Sequence, residues 1–291
     1  MLAEFFNNKL IVGLCILLLS MPSSSNESGF EKGDKPLPKW ELGGVAAGFH
    51  SPLYPASSDS QDKALVVPYG IYRGDTIRVG DGSIVKAIAL EAPRFKVDVS
   101  MAAAFNADSE DSKIREGMPD LDFLFEIGPQ FRFLLSDSSI EYGADSEIWL
   151  NVQTRAVFST DFGSINHQGY TIQPQLSWRS KDLLWNDTVA FASLAPIWAS
   201  EKLHDYFYQI DAQYETERRQ QFNAKAGYLG TKVSLGSIFQ IKPELSLFTA
   251  VQWGLWQGAE NEDSALFEED NNFSAVIGVR YTFMQSKDIV K

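Results

Sequence analysis

Between Asp120 and Ser136 the chain reads DLDFLFEIGPQFRFLLS, and its apolar residues fall on one parity. Leu121, Phe123, Phe125, Ile127, Phe131, Phe133 and Leu135 share that parity with Pro129, while Asp122, Glu126, Gln130 and Arg132 take the other. A period of two with a proline inside excludes a helix. It specifies a strand with one aromatic face and one charged face. At about 15 residues the strand exceeds the ~5–6 typical of globular sheets and covers the ~9–11 tilted residues that cross a bilayer.

The same period returns along the chain. Strands are expected near Trp40–Phe49, Ala64–Arg73, Ser83–Leu90, Arg94–Phe105, Leu121–Leu135, Ile140–Phe158, Gly169–Ser180, Leu183–Ser193, Ala224–Phe239, Glu244–Trp256 and Phe273–Phe283. Phe95, Val97, Val99 and Met101 oppose Lys96, Asp98 and Ser100. Leu245, Leu247, Val251 and Trp253 oppose Ser246 and Gln252. No shift of composition divides the run, so one architecture suffices.

Two closed structures share this alternation. A soluble barrel turns its apolar face inward, and an outer-membrane barrel turns it to lipid. The pattern alone does not choose. Strand number does, because roughly a dozen long strands would make a soluble barrel too wide to fill. Aromatic residues near strand ends (Tyr142 and Phe158, Tyr170 and Trp178, Phe273 and Phe283) suit interfacial girdles. Tight turns such as SDSS, RSKD and IKPE alternate with long acidic loops such as ADSEDSKIREGMPD and QGAENEDSALFEEDNN.

The expected fold is therefore all-β, a closed antiparallel transmembrane β-barrel of 10–12 strands, with twelve favoured. Eleven segments are readable. Either His204–Asp211 supplies a twelfth, or segments between Ala64 and Leu90 merge to leave ten. Pro68, Pro129 and Pro174 are expected at bulges or beyond the bilayer, because proline cannot donate to a ladder.

The N-terminus stands apart. KLIVGLCILLLSM, Lys9 to Met21, is a short apolar core followed by polar PSSSNESG, which reads as a secretory signal peptide over residues 1–25. Residues 26–39, with Pro36 and Pro38, read as a linker, 40–283 as the barrel and 284–291 as a disordered C-terminal extension. The sole cysteine, Cys15, lies in the signal core, so the mature chain has no disulfide to hold it. With 38 acidic and 25 basic residues the net charge is −13, which argues against nucleic acid as a partner.

Several blocks carry a resemblance: PLYPASSD at Pro52–Asp59, YGIYRGD at Tyr69–Asp75, GMPDLDFLFEIGPQ at Gly117–Gln130, HDYFY at His204–Tyr208 and the final GVRYTF. Together they resemble the MipA/OmpV family of Gram-negative outer-membrane proteins. The resemblance implies a barrel in the cell outer membrane, bathed in lipid and lipopolysaccharide. It also implies a non-enzymatic role as a scaffold joining a lytic transglycosylase to a murein synthase at the peptidoglycan. A diffusion channel and a surface adhesin are the alternatives. The family supplies no catalytic residue, so catalytic, cofactor-binding and metal sites are all expected to be none.

The residues themselves offer little catalysis. The histidines are His50, His167 and His204. His204 and Asp205, or His50 and Ser51, would point to opposite faces if each pair lay in a strand. The acidic clusters Asp108–Asp111, Glu260–Asp263 and Glu268–Asp270 lack EF-hand spacing and read as mutually repelling loop tips. Arg132, Gln153, Arg155, Gln175, Arg179, Lys225 and Arg280 are placed on the polar interior face. There they either set the selectivity of a channel or bond to one another and plug it. Gly117–Asp122 reads as a turn into the bilayer, with partner docking as the sharper alternative.

Overall fold

The computed structural model describes residues 37–73, 78–79, 90–92, 94–139, 145–183 and 185–290. The strands are β1 (Leu37–Pro38), β2 (Trp40–Pro52), β3 (Ser60–Arg73), β4 (Arg78–Val79), β5 (Leu90–Ala92), β6 (Phe95–Ala104) and β7 (Phe123–Ser139). They continue with β8 (Asp145–Thr160), β9 (Ile165–Lys181), β10 (Thr188–Ala199), β11 (Gly227–Lys242), β12 (Leu245–Leu255), β13 (Asn271–Gln285) and β14 (Ile289–Val290). One curled antiparallel sheet takes the order β4-β3-β2-β13-β12-β11-β10-β9-β8-β7-β6-β5. Ten of its strands are long, and β4 and β5 are short additions at the two edges. The first and last long strands are neighbours, with Val45 opposite Arg280 and Ala47 opposite Gly278.

The sheet turns its greasy face outward. On β7, Ile127, Phe131, Phe133 and Leu135 are 40–50% exposed, whereas Gln130 and Arg132 are 0% and 2% exposed. On β13, Phe273, Ile277, Tyr281 and Phe283 lie outside. This inverts the soluble arrangement and is the one a bilayer demands, where lipid replaces water as the solvent of the outer face.

Three expectations are corrected. His204–Asp211 is no strand, because Glu201–Tyr208 forms a helix, α1, whose buried face carries Leu203, His204, Phe207 and Tyr208. A spacing of three and four residues, not two, puts that set on one side. The hairpin before β10 is longer than expected: Asp182 and Asp187 adopt left-handed φ of 55° and 58°, and the strand starts only at Thr188. The tail does not run free, since β13 extends to Gln285 opposite Glu41 and β14 pairs with β1. The expected strand Ser83–Leu90 and the signal segment lie outside the described residues, apart from Leu90.

The prolines fit without bulges. Around Gly128–Pro129 the β7–β8 ladder is interrupted, yet the register is the same on either side. Pro174 and Pro196 face a similar interruption between β9 and β10. Pro68 sits where β3 pairs with β2 alone among the described strands. A residue with no N–H is cheapest where no partner asks for one.

Candidate functional site

On the concave face of β6 to β9, strand register sets polar residues in rows, Asp98 beside Gln130 beside Gln153 beside Gln173, and Arg132 beside Asn151 beside Gln175. The rows close into a network. Arg155 Nε donates to Glu126 Oε2 at 2.8 Å, and Thr171 Oγ1 donates to the same oxygen at 3.1 Å. The rest of the guanidinium donates to Ser100 Oγ at 3.2 Å, to Gln173 Oε1 at 2.6 Å and to Gln153. Gln153 Nε2 donates to Gln175 Oε1 at 3.0 Å, Asn151 Nδ2 to Ser177 Oγ at 2.9 Å, and Arg132 Nε to Asn151 Oδ1 at 3.1 Å. Arg132 also lies 4.7 Å from the Trp149 ring and 3.9 Å from Asp98. The Arg155 charge is held by several neutral dipoles as well as by Glu126, which is how a buried ion offsets its desolvation.

The end of the sheet opposite Leu37 and Val290 carries a packed cap. Leu53, Tyr54, Ala56, Met118, Leu121, Leu203, Phe207, Tyr208, Ile210, Trp256 and Leu266 form one buried cluster drawn from four loops and α1. Backbone carbonyls bind it together. Tyr208 Oη donates to Pro55 O at 3.0 Å, Ser264 Oγ to Tyr208 O at 2.8 Å, and Tyr206 Oη to Asp122 O at 3.2 Å. Arg115 donates to Phe207 O at 3.1 Å and Pro119 O at 3.2 Å, and Arg219 to Tyr214 O at 2.8 Å and Glu116 O at 3.2 Å. Burial lowers the Arg115 guanidinium from its ordinary value and raises the phenols of Tyr54, Tyr206 and Tyr208. The sequence blocks around Pro52–Asp59, Gly117–Asp122 and His204–Tyr208 all meet in this cap. The cap end also holds 19 of the 38 acidic residues against 6 of the 25 basic ones, so the chain's negative charge is concentrated there.

Between cap and network lies a cavity of about 290 Å³, with Glu126, Arg155 and Lys232 on its polar wall and Leu203, Phe207 and Trp256 on its apolar wall. Of the seven interior residues expected, Arg132, Gln153, Arg155 and Gln175 belong to the network. Arg179 sits farther along β9, and Arg280 donates to Ser246 Oγ at 3.4 Å. Lys225 is corrected: β11 begins at Gly227, and Lys225 lies exposed in the preceding loop. Lys232 and Trp256 were missed. Parity could have found Lys232, which shares the parity of the inward Ser234 and Gly236.

The three histidines lie on β2, β9 and α1, each with its own neighbours. His204 is fully buried in α1, its Nε2 is 3.3 Å from Gly227 O, and burial lowers its basicity from the ordinary imidazole value. Asp205 has Glu201 and Asp211 for charged neighbours and a raised carboxyl, led by burial. His50 Nδ1 meets Asp62 Oδ1 across β2 and β3 at 2.9 Å, with its ring 5.0 Å from Phe273. Its ring bonds to no hydroxyl among the described residues. His167 sits between Phe158 and Tyr170. Among the described residues no three metal-ligating side chains converge.

The family described as MltA-interacting protein MipA matches residues 43–283. Among solved structures, an outer-membrane channel from Pseudomonas putida F1 is 14% identical with a TM-score of 0.43, covering 87% of this chain and 99% of that one. The NanC porin is 9% identical with a TM-score of 0.38, covering 82% and 98%. Outer membrane phospholipase A from Escherichia coli is 12% identical with a TM-score of 0.32, covering 84% and 94%. No curated protein matches.

Proposed function

The chain belongs to the family of the MltA-interacting protein MipA and is an outer-membrane barrel protein, and on that premise we propose that it is a non-enzymatic scaffold for murein enzymes. One observation carries this reading over a channel. Arg132, Asn151, Gln153, Arg155 and Gln175 spend their hydrogen bonds on neighbouring interior groups, and the cap fills the loop end. A pore needs those groups turned to water. Completion of the ring through residues 74–94 belongs to the same reading, as does a removed signal segment at 1–25.

Orientation follows from the connections. Short turns and the described chain ends, Leu37 and Val290, share one end, the periplasmic habit of such barrels, while the capped acidic end faces outward into lipopolysaccharide. The periplasmic end is braced by a buried pair, Arg73 to Glu41 at 2.7 Å, with Arg73 also donating to Pro38 O at 2.8 Å. The murein partners, a lytic transglycosylase and a murein synthase, would meet that end.

Pull-down of the two enzyme classes from a periplasmic extract by the folded protein tests the scaffold. Capture of both is expected, and capture of neither removes the reading. Planar-bilayer recording is expected to give no steady conductance. Sustained conductance would put a diffusion channel in its place.

A further inference from the structure

We propose that the cavity beneath the cap binds a small organic anion, a carboxylate joined to an apolar body, with Lys232 as its counter-charge. This site is independent of the scaffold reading. The cavity of about 290 Å³ has room for roughly ten non-hydrogen atoms at about 30 Å³ each. Its position, in the mouth of a curled sheet with a few polar groups opposite apolar ones, is where small-molecule sites form.

The charges point to an anion. Lys232 stands on β11 between Ala195 of β10 and Gly254 of β12. Its charged neighbours are Glu126 and Arg155, on β7 and β8, several strands around the sheet. Those two are already joined to each other at 2.8 Å, and Glu126 also accepts from Thr171. Asp122, the other wall carboxylate, keeps company with Asp161, Asp120 and Ser159. Among the described residues Lys232 takes part in no hydrogen bond or ion pair. Around Lys232 two cations thus share one carboxylate, Glu126, and a buried ammonium with no direct hydrogen bond or ion pair is costly until an anion joins it.

The body of the ligand has its own surface. Trp256 lies flat against the sheet wall beside Lys232, because a Cβ at Gly230 or Gly254 would come within 2.1 or 2.2 Å of its indole. Its Nε1 donates to Asn272 Oδ1 at 2.8 Å, which fixes the ring. Phe207 and Leu203 of α1 complete the apolar side. A molecule with its carboxylate on Lys232 would lay its body against these three.

Calorimetric titration of the folded, detergent-solubilised full chain with benzoate, and with benzyl alcohol as its neutral counterpart, tests the site. Benzoate should bind saturably with one-to-one stoichiometry, and benzyl alcohol at least tenfold more weakly. Lys232→Met should abolish benzoate binding, Lys232→Arg should keep it, and Lys225→Met on the outer loop should leave it unchanged. Heat-modifiable gel migration establishes that each variant is folded. If Lys232→Met fails to fold, the benzoate and benzyl alcohol comparison on the unaltered protein decides alone. Absence of saturable benzoate binding, equal binding of both probes, or full binding by folded Lys232→Met would each overturn the proposal.

Discussion

The concave face of β6 to β9 and that of β2, β3, β12 and β13 belong to one sheet under one outer coat, yet they are filled by opposite means. The first is a lattice of amides and guanidiniums around Arg155. The second is a hydrocarbon patch in which Val45, Ala47, Leu65, Val67 and Phe248 are 3–7% exposed, with Phe49, Tyr69 and Val276 against them. Neither interior side need be wet. A polar wall is stable when each group finds a directed partner, and it then depends on register, because a slip of one residue would turn every group to lipid. The apolar wall needs only volume and tolerates rearrangement. One half specifies the sheet, and the other fills it.

Breaking the polar half should hurt most. Arg155→Met leaves Glu126 buried without its partner and should cost about 3–5 kcal/mol in equilibrium refolding into lipid vesicles. Adding Glu126→Gln should return much of the loss, and equal damage from single and double variants would deny the two halves their difference. The outer coat comes next. Val251→Arg should cost about 2–4 kcal/mol near the bilayer midplane, and Ile127→Arg, outside the polar half, should cost the same. Gln252→Arg, on the inner face, should cost much less. Equal tolerance at 251 and 252 would contradict the inverted arrangement.

The apolar half should yield gently. Val67→Ala removes two methyl groups and should cost about 1–2 kcal/mol, measured the same way and independent of salt. The smallest effect belongs to the tail. Deleting Ser286–Lys291 removes the β1–β14 pairing and the bonds Ser286 N to Trp40 O and Lys39 N to Asp288 O, both 2.8 Å. At a fraying end this should cost about 1 kcal/mol or less, with the folded band retained on heat-modifiable gels.

Much of this contrast was legible before the fold was known, because parity is a local property. The sorting of Ile127, Phe131, Phe133 and Leu135 onto one face and of Arg132, Gln153, Arg155 and Gln175 onto the other follows from period two alone. The cap was not legible. Its core takes Tyr54, Met118 and Leu266 from three separate loops and Tyr208 from α1, and no period links residues whose only relation is that they meet at one end of a sheet. His204–Asp211 stands as one of two alternatives for a twelfth strand because so short a segment holds too few turns to display a helical repeat. Lys232 was passed over because a single charge inside a β-pattern has meaning only when its neighbours on strands far away in sequence are known.

The pairing of β2 with β13 carries a consequence for biogenesis. Val45 finds Arg280 only after nearly the whole chain has been made, so the leading strand travels toward the outer membrane with one edge bare. Loop closure over that length delays the final ladder, and until it forms the exposed edge can template pairing with another copy. The last long strand, β13, therefore acts as a timer as well as a wall. The window for aggregation, or for protection by a holding chaperone, lasts until its fifteen residues arrive.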